Sequence, residues 1–209
     1  MTNLESSKTL GGIGAILMFI GIFPYISYFG IVELIGAILV LTALYSLGNY
    51  YKDSGIFNNA LYGIMAGIVG VVSAVAIGLA IVLPNIKDFL MTIFPSWNGD
   101  WSTIQSLSGM TPNTNNIGIG DVIPFISAAI VIFVILWIFA MIATFFVRRS
   151  FVRLSAKTNV GLFSTAGLLL LIGAFLVIIV GLGLILIWVA ALILALAFFK
   201  MKPTQQTPP

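Results

Sequence analysis

Two stretches of this chain, residues 10–48 and 161–199, each run for 39 residues with almost no break in apolar character. As a single helix rising 1.5 Å per residue, either would be roughly 58 Å long, almost twice the ~30 Å hydrocarbon thickness of a bilayer. Each must therefore fold back as a hairpin. In the first, Pro24 ends or kinks a helix, and Tyr25, Tyr28, Phe29 and Gly30 around it suit an interfacial turn. In the second, Val-Gly-Leu-Gly at 180–183 is the turn.

Composition places these hairpins in a membrane. The 209 residues are 60% hydrophobic and 7% charged, with a mean hydropathy of +1.18, whereas about a quarter of a soluble domain is charged. There is too little polar surface to cover a soluble globule. The net charge is +3, but the nine basic residues stand at the ends of apolar runs, a pattern of topology and not of nucleic-acid binding. Cysteine and histidine are absent, so this chain alone holds no disulfide, iron–sulfur cluster, His-ligated haem or Cys/His zinc site, and no cofactor is expected. Lys8 precedes an apolar run with no cleavage site after it, so that run is read as a retained span.

The expected fold is an all-α integral membrane protein of six transmembrane helices, in one domain. The spans fall near 11–28, 31–48, 59–83, 122–147, 162–179 and 183–199, the fourth opened by Asp121 as a cap with Pro124 in its first turn. Six spans put both termini and the even loops on one side, and these carry Lys8, Lys52, Arg148, Arg149, Arg153, Lys157, Lys200 and Lys202. Only Lys87 lies opposite, which makes both termini cytoplasmic in the cell membrane. The external loop is 85–121. Ile86, Phe89, Leu90, Ile93 and Phe94 recur at helical spacing there and predict a short interfacial helix, followed by Trp97 and Trp101 around an Asn-Gly-Asp turn, as interface anchors or as part of a ligand lid. The cytoplasmic basic loop is 148–160; if it extends span 4 as a helix, Arg149, Arg153 and Lys157 form one stripe toward lipid headgroups. Residues 201–209 are read as a disordered tail.

The hairpins also echo one another. Ser-Lys-Thr at 7–9 and Ala-Lys-Thr at 156–158 each precede a 39-residue stretch, and Ile20-Gly21 answers Ile172-Gly173. Hairpins entering from the same side would form a parallel repeat of spans 1–2 and 5–6. Lys8 and Lys157 are then orienting charges at a cytoplasmic lip. The opening Leu-x-Ser-Ser-Lys-Thr-Leu-Gly-Gly-Ile-Gly, the six-span plan and the later Ala-Lys-Thr resemble the small archaeal and bacterial membrane proteins grouped as domain of unknown function 996. Ser7, Lys8, Thr9, Gly11, Gly12 and Gly14 carry the resemblance. It implies a membrane location and no assigned activity.

Candidate chemistry is sparse. The core of each span lacks an ionisable side chain, and such groups are the usual signposts of transport. Glu33 is the nearest ion or proton site, yet it stands in the first turn of span 2, where the helix dipole and headgroup water both favour a carboxylate. No paired carboxylates, nucleophile with a base or phosphate loop occurs, so an enzyme is not expected. The sharpest pattern is in span 3. Ala66, Gly70, Ala74 and Gly78 recur every fourth residue beside Gly63 and Gly67, a smooth ribbon for close helix packing, placing that span centrally or at a subunit contact. Trp137 and Trp188, in mid-span, fill packing gaps or face a partner. The expected role is a structural, accessory or self-assembling membrane component, surrounded by lipid and assembled as a homo-oligomer or in a larger complex. The alternative is a transporter or channel for a neutral or weakly polar solute.

Overall fold

Leu4, Ser7, Gly11 and Ala15 recur at intervals of three and four, with no helix breaker among the polar residues that precede the apolar run, so the first helix starts early. In the computed structural model α1 spans Asn3–Gly21, eight residues ahead of the expected span, and these four residues form its buried face. The structure describes residues 3–21, 30–179 and 181–202. The turn expected at 24–30 therefore lies, except for Gly30, outside the described residues. α2 follows at Ile31–Tyr50, α3 at Ser54–Ile93, α4 at Ile119–Thr158, α5 at Leu162–Leu176 and α6 at Leu182–Phe199. Trp101–Gly109 and Thr114–Asn116 are 3-10 segments. The fold is all-helical, with no strand among the described residues. α2, α3, α4 and α6 are long and apolar enough to cross a membrane, whereas α5 is apolar but has only 15 residues.

Four expected boundaries change. The separate interfacial helix does not form, because α3 runs on through Pro84 to Ile93. Proline removes one ladder bond, from Ala80, but the next turn is reinforced where the Asn85 side-chain amide donates to the Ile81 carbonyl at 2.6 Å. The basic segment 148–160 is no loop: α4 continues to Thr158, and Asn159, at φ +55°, ends it. α4 also begins two residues before Asp121, whose carboxylate reaches back to accept from the Gly118 N–H at 2.8 Å. It caps from the third helical position, as the acid of a capping box does. Met201, expected in a disordered tail, is 2% exposed and its N–H bonds to the Phe198 carbonyl. Residues 203–209 lie outside those described.

The chain forms two compact units, residues 1–68 with 137–209, and residues 69–136. In the first, α1 packs on α2 and α6, and α5 packs on α6. Its core joins Leu44 and Leu47 of α2, Ile56 of α3, Phe151 and Leu154 of α4, Phe163 of α5 and Phe198 of α6. The second unit holds the C-terminal part of α3, the N-terminal part of α4 and the connection between them. Only 17% of the most apolar stretch of α3 is buried, and none of that of α4. These outward faces, with Val72, Val75, Ile126 and Ile130 all exposed, suit a lipid surround.

Candidate functional site

The small-residue ribbon of α3 separates into positions that need their smallness and positions that do not. In the first unit a Cβ on Gly63 would stand 2.8 Å from the Ala143 carbonyl oxygen of α4, so only glycine lets the two backbones meet. Gly67, one turn on, has nothing within 4 Å of its Cβ position, and Ala66 is half-buried. In the second unit Gly70, Ala74 and Gly78 are buried, and a Cβ on Gly78 would meet the Ile132 side chain of α4 at 2.6 Å. α3 thus makes an internal contact with α4 and is not the centre of the helix packing.

The centre lies at crossings that ribbon counting missed. A Cβ on Gly14 of α1 would be 2.6 Å from the Gly36 carbonyl oxygen of α2. Gly173 of α5 and Gly183 of α6 meet backbone to backbone in the same way, and Gly11 receives the ring of Phe198 from α6. Single glycines on facing helices give no periodic signal within either helix. The hairpins cross at different depths, with Gly14 and Gly36 separated by 22 positions but Gly173 and Gly183 by 10. The Lys-Thr echo also divides: Ser7, Lys8 and Thr9 lie inside α1, while Ala156, Lys157 and Thr158 end α4. Ser7 is buried, so the first copy is packing surface as well as a charged entry point.

Trp188 and Trp137 have defined partners. Trp188 of α6 donates its indole N–H to the Phe19 carbonyl of α1 at 3.0 Å, and the two rings stack with centroids 4.7 Å apart. Trp137 of α4 donates to the Ala174 carbonyl of α5, also at 3.0 Å. Ala174 stands two residues before the end of α5, among the carbonyls a helix leaves without an internal partner. The Trp137 indole closes the end of α5, and the Trp188 indole ties α6 to α1.

The predicted cations gather where helices begin and end. Arg153 pairs with Asp53 at 3.2 Å, and Asp53 also accepts from the Gly55 N–H at the start of α3. Asp53 escaped the sequence reading because its partner lies 100 positions away. Arg149 stands over the Phe145 ring at 5.0 Å, Arg148 is half-buried beside it, and Lys157 is exposed. Lys200 and Lys202 line a groove with Thr158, Asn159 and Gly161 of the α4–α5 turn. Lys8 is half-buried on α1, close to Leu4, which shares a core cluster with Met201. Glu33 folds against Gly21 of α1, whose Cβ would lie 2.8 Å from the Glu33 carboxyl carbon.

In the connection between α3 and α4, Trp97 is no surface anchor. It is 3% exposed, donates to the Thr103 hydroxyl at 3.0 Å, and meets the half-exposed Trp101 edge-on. The turn between them brings Thr103 back, with Gly99 at φ +76° placed against Lys87. The Asp100 carboxylate accepts from the Ser102 N–H at 2.9 Å. That bond, then the Ser102 hydroxyl and the charge of Lys87, hold its carboxyl below the usual carboxylate range. Asn113 donates to the Ile93 carbonyl at 2.7 Å and ties the connection to the end of α3.

With these contacts in view, comparison with known proteins is informative. A family described as Protein of unknown function (DUF996) matches residues 32–192. The chain belongs to the DUF996 family. The match covers all six helices except α1 and the end of α6, so the opening residues that carry the resemblance, Ser7 to Gly14, lie outside it. The chain is also similar to the uncharacterized protein MJ1644 of Methanocaldococcus jannaschii, 28% identical over 201 residues, which are 95% of this chain and 93% of that one. No solved structure matches. DUF996 membership brings no assigned activity, and apolar helices of this length are compatible with a membrane protein.

Proposed function

We propose that this DUF996 protein is a six-span protein of the cell membrane with both termini cytoplasmic, acting as a structural or accessory component and not as an enzyme. The observation that carries the reading is the locked packing of the first unit. Gly14 meets Gly36, Gly173 meets Gly183, and two indoles bond to backbone carbonyls of α1 and α5. Such contacts suit a rigid scaffold, since backbones this close leave no room to slide. Six spans require α1 and α5 to cross beside the longer helices they pack against. The clustering of Arg153 with Asp53, and of Lys200 and Lys202 with the α4–α5 turn, supports placing the basic loops on one side. The Lys-Thr echo and the two glycine-to-glycine crossings support hairpin duplication, although the crossing depths differ.

Native mass spectrometry of the gently extracted protein tests the role. A homo-oligomer or a constant partner is the expected result, and a bare monomer under all mild conditions would overturn it. A second reading, a carrier or channel for a neutral or weakly polar solute, draws on an apolar cavity of about 220 Å³ touched by all six helices, with Met18, Leu41, Ile64, Thr144, Leu170 and Leu194 among its walls. It predicts flux in reconstituted vesicles that is lost when the cavity is filled by Ala143→Leu. Flux no greater than in empty vesicles would remove it.

A further inference from the structure

α4 carries no charged side chain between Asp121 and Arg148, then three arginines within six residues. Those 27 positions amount to about 40 Å of helix, enough to clear the ~30 Å hydrocarbon layer and set Arg148 at headgroup level. There the helix borders a groove of about 470 Å³ lined by Asn59 of α3 and by Phe145, Arg148, Arg149, Val152 and Arg153 of α4. Three arginines line one concavity, and no acid lines it among the described residues. The nearby carboxylate, Asp53, is engaged by Arg153 and by the Gly55 N–H. Among the described residues, Arg153–Asp53 is the only ion pair, so the positive charge of Arg148 and Arg149 is left uncompensated.

We infer that this groove binds the phosphate of an anionic glycerophospholipid. A phosphate diester supplies the planar acceptor pair that guanidinium groups recognise with two parallel N–H donors. Asn59, whose amide also donates to the Gly55 carbonyl, lines the groove beside them. Phe145 and Val152 give the groove an apolar flank, which a lipid chain fills and a free phosphate does not. Arg149 is already positioned over the Phe145 ring, which limits the freedom it loses on binding. The inference rests on the membrane reading, but not on the scaffold role or on which leaflet holds the groove.

The test uses the full chain in neutral detergent, titrated with phosphatidylglycerol, phosphatidylcholine or inorganic phosphate and read by native mass spectrometry. The expected result is retention of phosphatidylglycerol over phosphatidylcholine, reduced about tenfold or more in Arg148→Gln/Arg149→Gln and by less in Arg148→Lys/Arg149→Lys, which keeps the charge but not the paired donors. Lys157→Gln, outside the groove, leaves retention unchanged. Circular dichroism confirms that each variant keeps its helix content. Equal retention of both lipids, or a preference that survives Arg148→Gln/Arg149→Gln, overturns the proposal. Displacement of the lipid by inorganic phosphate at equal concentration overturns it in favour of a free-anion site. Retention is independent of oligomeric state, so its failure is distinct from failure of the scaffold reading.

Discussion

A helix that ends among apolar neighbours leaves carbonyls that water cannot reach, and the Trp137 indole supplies a donor at one such place, Ala174, while the Trp188 indole bonds α6 to the Phe19 carbonyl of α1. Replacing Trp188 with Phe keeps a ring against Phe19 and removes only the donor. It is expected to destabilise the protein by about 0.5–2 kcal/mol in reversible unfolding from detergent, as interhelical hydrogen bonds in membranes do. No change on Trp188→Phe would mean that the bond is ornamental. Neither role was legible, because each acceptor is a backbone atom of a distant helix, 169 positions away for Trp188. Asp100 gives a pH prediction. Its carboxyl is held low in the folded state, so the Ser102 bond contributes above the unfolded pKa and is lost as pH falls through the lower folded one. Tryptophan fluorescence from the Trp97–Trp101 pair should therefore stay constant down through the usual carboxylate range and change only below it. Asp100→Asn should abolish that acid step.

At the scale of elements, the hairpins were legible because an unbroken apolar run of 39 residues exceeds one bilayer crossing, whereas α3 and α4 reach 40 residues by carrying polar or charged ends. Their ends were not. Polar residues such as Ser7 and Arg153 were counted as loop, yet helical periodicity carries α1 back to Asn3 and α4 forward to Thr158. Pro84 looked like a boundary, but it costs one ladder bond inside a helix that extends far on both sides. The ribbon on α3 was visible as spacing, whereas which of its glycines meets a backbone depends on the facing helix. Gly63→Ala should cost about 1–3 kcal/mol, since its Cβ collides with the Ala143 carbonyl. Gly67→Ala should be neutral or stabilising by up to about 1 kcal/mol, because the site is open and alanine favours helix. Paired thermal unfolding in one detergent decides this, and equal destabilisation by both variants would contradict the assignment of α4 as the partner face.

For the molecule as a whole, composition and charge distribution were enough to read an all-helical, membrane-compatible chain, and the DUF996 match agrees with the resemblance drawn from the sequence. The candidate site was only half legible: the arginines were evident, but Asn59 and Phe145, which shape a groove beside them, lie on a turn of α3 and in an apolar run that give no sign of it. The central claim is the six-span topology, from which the level of the arginines and the placing of both hairpins follow. The chain lacks cysteine, so single cysteines report on a clean background. Labelling intact cells with a membrane-impermeant maleimide tests the topology most directly. Cysteines replacing Ser27, Ser106 and Ile179 should label from outside, and those replacing Lys52, Asn159 and Lys202 only after lysis. Labelling of Ser106→Cys and Asn159→Cys from the same side, or of Lys202→Cys in intact cells, would contradict it.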